Sequence, residues 1–281
     1  MKTTICTLGE GDFHHGLGTL VNSLAAHGFC GKIVVGWKNG EIPWLREFQK
    51  NAGGWYRVGS GIELLVSMVS PNMHLTNFKP NWMKSVMEEI VPETEGCFYF
   101  DPDVTVLFPW WFFEQWIADG VAVCEDRNSP MPCSHPRRNA WRRIFQKRSM
   151  ELVNPFEQYA NGGCVGVARS RIGFLDLWAR TIQVAGEETG AISDIVAKPE
   201  SWFPFMDQDA LNVSLMATGE SVSWVGKDGM NFDGRGILMH HDLGPRKPWR
   251  RSRLWKIAGR FGWIQHPCFR YARSPVKVEA Y

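Results

Sequence analysis

Apolar positions along this chain follow two rhythms that take turns. Runs that are apolar at nearly every position, often β-branched, fall at residues 3–8, 32–36, 97–100, 120–124, 164–168, 221–225 and 237–239, with a further candidate at 55–58. Such runs suit strands covered on both faces. Between them, apolar residues recur at helical spacing. This is so for residues 17–26, for Trp82, Met83, Val86, Met87 and Ile90 ahead of Pro92, and for 110–118, 171–184 and 208–216; residues 137–150 add a basic helix. The alternation predicts an α/β domain with a mostly parallel central sheet flanked by helices. No internal repeat, low-complexity run or Pro/Gly/Ser linker divides it. After Trp249 the pattern changes: residues 250–281 are basic, aromatic and broken by Pro267 and Pro275. The expected organisation is a domain of residues 1–249 with a basic, aromatic tail, 250–281, appended to it.

Composition narrows this reading. At 281 residues with 44% hydrophobic and 21% charged positions, the chain is a globular protein with room for one large domain. A net charge of +2 gives no ground for a nucleic-acid partner, and none is expected. The seven cysteines are odd in number, scattered and never in a CxxC pair, which fits reduced core thiols in a cytoplasmic protein. The first strand begins within three residues of Met1, without an apolar signal core, and no run approaches the ~20 apolar residues that span a bilayer. The tail has no acidic residue from Arg246 to Arg273. Its Arg250, Arg251, Arg253, Lys256 and Arg260 interleave with Leu254, Trp255, Ile257, Phe261 and Trp263. That mixture suits peripheral contact with anionic lipid on the cytoplasmic face of a membrane. It equally suits a helix that lays its tryptophans on the domain.

Three motifs carry candidate chemistry. Asp101-Pro102-Asp103 follows the strand at 97–100. Residues two apart in extended chain face the same side, so both carboxylates reach one cation, and Pro102 stiffens the turn. The place just past a strand's C-terminal end is where open α/β sheets bind ligands. Asp-Pro is also ordinary turn chemistry. Asp207-Gln208-Asp209 opens a helix, where acidic side chains also serve simply as favourable partners of the helix dipole. The third motif, His241-Asp242-Leu243-Gly244-Pro245-Arg246-Lys247-Pro248-Trp249, is the most specific. His241 offers a neutral imidazole to a metal, Gly244 allows close backbone approach to a phosphate, and Lys247 brings a compact positive charge.

These motifs, with Asn161-Gly162-Gly163, stand in the order seen in family 8 glycosyltransferases, which the chain resembles from Thr3 to Trp249. The resemblance implies a GT-A, Rossmann-like fold and a retaining hexosyltransferase of the lipopolysaccharide galactosyl- or glucosyltransferase or glycogenin kind. It implies Mn²⁺ (or Mg²⁺) as cofactor, a UDP-sugar donor and a glycan or lipid-linked saccharide acceptor. By the same resemblance Asp101, Asp103 and His241 would hold the metal, with Asp101 also touching the donor. Gly244 and Lys247 would bind the diphosphate. Asn161, Asp207 and Gln208 would contact the donor sugar, with Gln208 near the reacting face. Lys84 would stand where the family has a donor-binding arginine, and Leu8 and Phe13 would border the uracil. The family's acidic position in the first loop is matched only loosely, by Glu10 or Asp12.

Two other readings compete. A sugar nucleotidyltransferase would show a basic, Gly-rich loop after the first strand, whereas Gly9-Glu10-Gly11-Asp12 is acidic. A non-catalytic carbohydrate-binding protein would have no need of the full Asp101, Asp103, His241 and Lys247 set. Trp110-Trp111 and Trp202 are candidates to stack on acceptor sugars, and Arg137, Arg138, Arg142 and Arg143 to meet a phosphorylated acceptor. Core packing and a solvated basic face are the ordinary accounts of both groups.

Overall fold

The computed structural model describes residues 1–194, 200–272 and 274–278, with Arg260 described in its backbone alone. Its strands are β1 (Thr3–Glu10), β2 (Gly31–Lys38), β3 (Tyr56–Gly59), β4 (Ile62–Met68), β5 (Gly96–Phe100), β6 (Val104–Val106), β7 (Val121–Glu125), β8 (Ala160–Ala168), β9 (Val222–Val225) and β10 (Met239–His241). The α-helices are α1 (His14–Ala26), α2 (Lys79–Ser85), α3 (Trp110–Asp119), α4 (Pro136–Gln146), α5 (Gly173–Thr189), α6 (Met206–Ala217), α7 (Arg253–Arg260) and α8 (Pro267–Arg270).

Alternation along the strands sets the layers. Ile5, Ile33, Val35, Phe98 and Phe100 point to one face of the sheet, where they meet Leu17, Leu20, Val21 and Leu24 of α1 and Trp110, Phe113 and Trp116 of α3. Their neighbours Cys6, Val34, Cys97 and Tyr99 point to the other, against Trp82 and Met83 of α2, Trp178 of α5 and Leu211 of α6. The sheet is therefore covered on both sides, as the uninterrupted apolar runs require.

Among the described residues, the large sheet has the order β3-β4-β2-β1-β5-β8-β7-β9. β1 pairs in parallel with β2 and β5, β2 with β4, and β7 with β9. β8 is antiparallel to both β5 and β7, and the edge strand β3 to β4. This is the mostly parallel, helix-flanked sheet of a GT-A, Rossmann-like fold. Two strands escaped the sequence pattern. β4 mixes Glu63 and Ser67 among its apolar residues, and β6 is only three residues long. The expected strand at 237–239 is displaced to Met239–His241, and it leaves the main sheet to pair with β6.

The tail is joined to the domain. Val276 donates its N–H to Asn22 Oδ1 (2.9 Å), and Val276 and Val278 are buried in the core beneath α1. Cys268 and Ala272 close over Trp249. Arg273, residues 279–281 and the side chain of Arg260 lie outside the described residues of this segment.

Candidate active site

The separation of 138 residues between Asp103 and His241 is closed by the β6–β10 ribbon, in which His241 lies opposite Val104. Asp242 donates its N–H to the carbonyl of Asp103 (3.1 Å), which continues the pairing past the strand end. On the other flank Asp101 donates its N–H to the carbonyl of Gly163 (2.8 Å), tying the turn to β8. Gly163 leaves room for this closure: a Cβ there would fall 2.4 Å from His241 Cε1. A Cβ on Gly162 would stand 3.1 Å from Asp207 Oδ2, so the second glycine admits the start of α6.

His241 Nε2 lies 3.3 Å from Asp103 Oδ1 and 3.7 Å from Asp101 Oδ2. The tautomer of His241 follows from Asn161. The amide of Asn161 is fixed at both ends: Nδ2 donates to Asp126 Oδ2 (2.7 Å), and Oδ1 accepts the N–H of Gly163 (2.8 Å). That same Oδ1 faces His241 Nδ1 at 3.1 Å, so Nδ1 carries the proton and donates it. Nε2 then presents a lone pair to two carboxylates. Asp103 Oδ1 is buried and accepts no hydrogen bond. An imidazole lone pair and carboxylate oxygens directed at one point form a ligand set that could hold a metal cation. Burial works against ionised Asp103; the Lys247 ammonium, and His241 whenever its Nε2 also carries a proton, outweigh it and hold its carboxyl down at about 2.

A second His–Asp cluster lies next door with the opposite hydrogen-bond polarity. His240 Nε2 and His266 Nε2 are each 3.1 Å from Asp242 Oδ1, and the Cys268 thiol donates to Asp242 Oδ2 (2.6 Å). Here Nδ1 of His240 accepts from the amide of Asn231, whose own oxygen is held by the N–H of Gly236. Nδ1 of His266 accepts the N–H of Cys268. Both imidazoles therefore give Nε2–H to Asp242. Burial alone would raise the Asp242 carboxyl; these donors override it and hold it far below the ordinary carboxylate range. The spacing suits a metal, but the protons make this a clamp that fastens the tail to β10.

One cleft of about 350 Å³ collects eight of the eleven expected site residues: Asp101, Asp103, Asn161, Asp207, Gln208, His241, Gly244 and Lys247. Gln208 Oε1 accepts the N–H of Gly162 (3.0 Å). Gly244 has φ +82°, the left-handed region that suits glycine. Lys247 is buried, bonds Asp103 Oδ2 and donates to the carbonyl of Asp242 (2.6 Å).

Three expected residues stand elsewhere. Lys84 pairs with Asp176 at 2.6 Å on the outer side of α2, away from Asp101. The lysine beside Asp101 is instead Lys79, which is 3.1 Å from Asp101 Oδ1 and 2.9 Å from both Asp207 Oδ2 and the Gly162 carbonyl. Burial opposes its charge, yet Asp101 and Asp207 overcome this and raise it above the ordinary lysine value. Helix geometry explains the exchange: Lys79 lies three and four residues before Trp82 and Met83 and shares their buried face, while Lys84 falls off it. A lysine on an apolar helix face was the available signal. Leu8 turns into the core, with Cδ2 only 2.5 Å from where a Gly36 Cβ would be. Phe13 packs on Trp249 (centroids 5.7 Å apart), with Arg250 above its ring at 5.3 Å. Asp12 is engaged by Arg250 through two 2.6 Å bonds; the arginine's hydrogen bonding lowers its carboxyl.

No protein-family model matches the sequence, and no curated protein matches it. The coordinates do find a counterpart. A solved structure described as the apo form of the WbbM bifunctional glycosyltransferase superposes with a TM-score of 0.54 at 15% identity. The chain shares its fold with a glycosyltransferase. The match covers 88% of this chain and 47% of that one, so this chain corresponds to about half the neighbour's length.

Proposed function

We propose that the protein is a retaining, metal-dependent glycosyltransferase that moves a hexose from a UDP-sugar to a glycan or lipid-linked saccharide. The observation that carries this is the lone pair of His241 aimed with Asp101 and Asp103 into a cleft that also contains Lys247, Asp207 and Gln208. Asp101, Asp103 and His241 would hold the cation. When bound, Mn²⁺ or Mg²⁺ supplies Lewis-acid stabilisation of the charge on the departing diphosphate. Lys247 adds a second positive charge there, and the Gly244 turn brings backbone close to the phosphates. The acceptor hydroxyl attacks the anomeric carbon from the face that UDP leaves, and a phosphate oxygen of the leaving group takes its proton. Gln208 faces that reaction, and Asn161 and Asp207 flank it. Asp207 is held by Lys79, which makes it a positioning carboxylate for the donor sugar rather than a free nucleophile. The outward face of α7 is read as the contact with anionic lipid that brings the enzyme to a membrane-borne acceptor.

The test is UDP release from a panel of UDP-hexoses. UDP-glucose or UDP-galactose should be consumed with Mn²⁺, activity should vanish with EDTA, and Asp103→Asn should lose about 10²-fold or more in kcat/KM. Metal-independent turnover, or pyrophosphate formation from UTP and a sugar 1-phosphate, would overturn the assignment.

A further inference from the structure

The four arginines of α4 have different surroundings. Arg138 is buried and bonds the carbonyls of Met131 and Gln158. Arg137 is committed to Asp209, and Arg142 to the carbonyl of Cys133. Among the described residues, Arg143 is exposed and has no acidic partner, and Lys147 lies one turn further on in the same condition. Both border an open cleft of about 470 Å³ whose wall is Trp202.

Trp202 is 45% exposed although its backbone is firmly held. Its carbonyl accepts the Trp141 indole N–H (2.8 Å), and the adjacent Phe203 is buried and stacked on Trp141 (6.1 Å, 23°). An indole kept at the surface by a buried anchor presents a rigid flat face at little entropic cost. Three residues on, Phe205 is also exposed and lines the donor cleft. Three residues of chain span at most ~11 Å, a reach that an oligosaccharide of a few units covers. The other side of Trp202 is bordered by Glu200 and by Glu188, which is paired with Arg148, so an anion is favoured on the Arg143–Lys147 side.

We propose that the cleft formed by Trp202, Arg143 and Lys147 is an outer acceptor subsite for a saccharide unit carrying an anionic group, a phosphate or a uronate. This rests on the glycosyltransferase reading of the donor cleft. The indole lies against the C–H face of the ring, and the two cations pair with its anionic substituent.

The experiment applies the full chain, with Mn²⁺ and UDP, to an array bearing neutral, phosphorylated and uronic-acid oligosaccharides. Binding to one acidic class over its neutral counterparts is expected, and the class retained tells phosphate from uronate. Trp202→Ala and the double variant Arg143→Ala/Lys147→Ala should each weaken it roughly tenfold or more. UDP affinity, measured in the same samples by calorimetry, should be unchanged. Binding that ignores charge, that is equal in the variants, or that is absent altogether overturns the subsite. Failure to bind UDP sinks the donor reading instead, so the two failures are distinguishable.

Discussion

At the residue scale, the decisive atom is the Oδ1 of Asn161. The family resemblance gives Asn161 to the donor sugar, but its hydrogen bonds give it a second task, to fix the proton of His241 on Nδ1. Outer partners that set a ligand's tautomer typically contribute 10–100-fold to metal affinity. Asn161→Ala should therefore weaken Mn²⁺ binding by about that factor in calorimetry, while the cooperative unfolding transition persists. Unaltered Mn²⁺ affinity would show that Asn161 serves only the sugar. Asp101, Asp103 and His241 were legible because their chemistry is carried by residue type and spacing. Lys79 was not, because its role comes from burial on the face of α2 that holds Trp82 and Met83. Lys84, expected where the resembled family has its arginine, meets Asp176 instead.

At the element scale, the start of α6 is held by one buried carboxylate. Asp209 accepts from the Phe205 N–H (2.9 Å), from Tyr159 Oη (2.6 Å) and from Arg137, which fastens to α4 and to the residue preceding β8 the helix end that carries Asp207 and Gln208. Asp-Gln-Asp gave no hint that its second carboxylate faces inward. Only the 3.6-residue turn, which sets Asp209 with Met206 and Ala210 on the buried side, decides that. Burial raises its pKa to about 7 against the lowering effects of Arg137, Tyr159 and Phe205. The sign then follows. Above about pH 4 the unfolded chain has released this proton while the folded protein keeps it, so the contribution to stability falls as pH rises to about 7. Above that pH both states are ionised and the contribution is constant. Denaturant unfolding of the wild type and Asp209→Asn from pH 4 to 8 should give a difference curve that changes by a few kcal/mol, on the order of the shift, and flattens near pH 7. A difference independent of pH would mean that Asp209 is already ionised at pH 4.

At the scale of the whole molecule, the tail is two things joined end to end, which composition could not separate. Among the described residues no helix is long and apolar enough to cross a membrane. α7 turns Trp255 inward onto Phe269 (4.8 Å) but leaves Leu254, and beyond the helix Phe261 and Trp263, more than 70% exposed beside Arg251 and Arg253. The stretch that follows belongs to the domain: the Asp242 clamp grips His266, Tyr271 meets His27 at 2.9 Å, and Val276 and Val278 fill the core. Deleting residues 250–281 would strip those valines, each worth roughly 1.5–3 kcal/mol of burial, and leave the side-chain Oδ1 of Asn22 without the bond from Val276. Lost membrane binding in such a truncation would then report unfolding. Substitution at the surface separates the two roles. Leu254→Ser/Phe261→Ser/Trp263→Ser removes only exposed apolar groups, and sites of that kind usually change stability by about 0.5 kcal/mol or less. Sedimentation with phosphatidylglycerol vesicles at low salt should show the wild type bound and the triple variant largely free, with Tm nearly unchanged. The wild type should also leave the vesicles as salt is raised, because screening weakens the contribution of Arg251 and Arg253. Equal sedimentation of both proteins would show that this face meets something other than lipid.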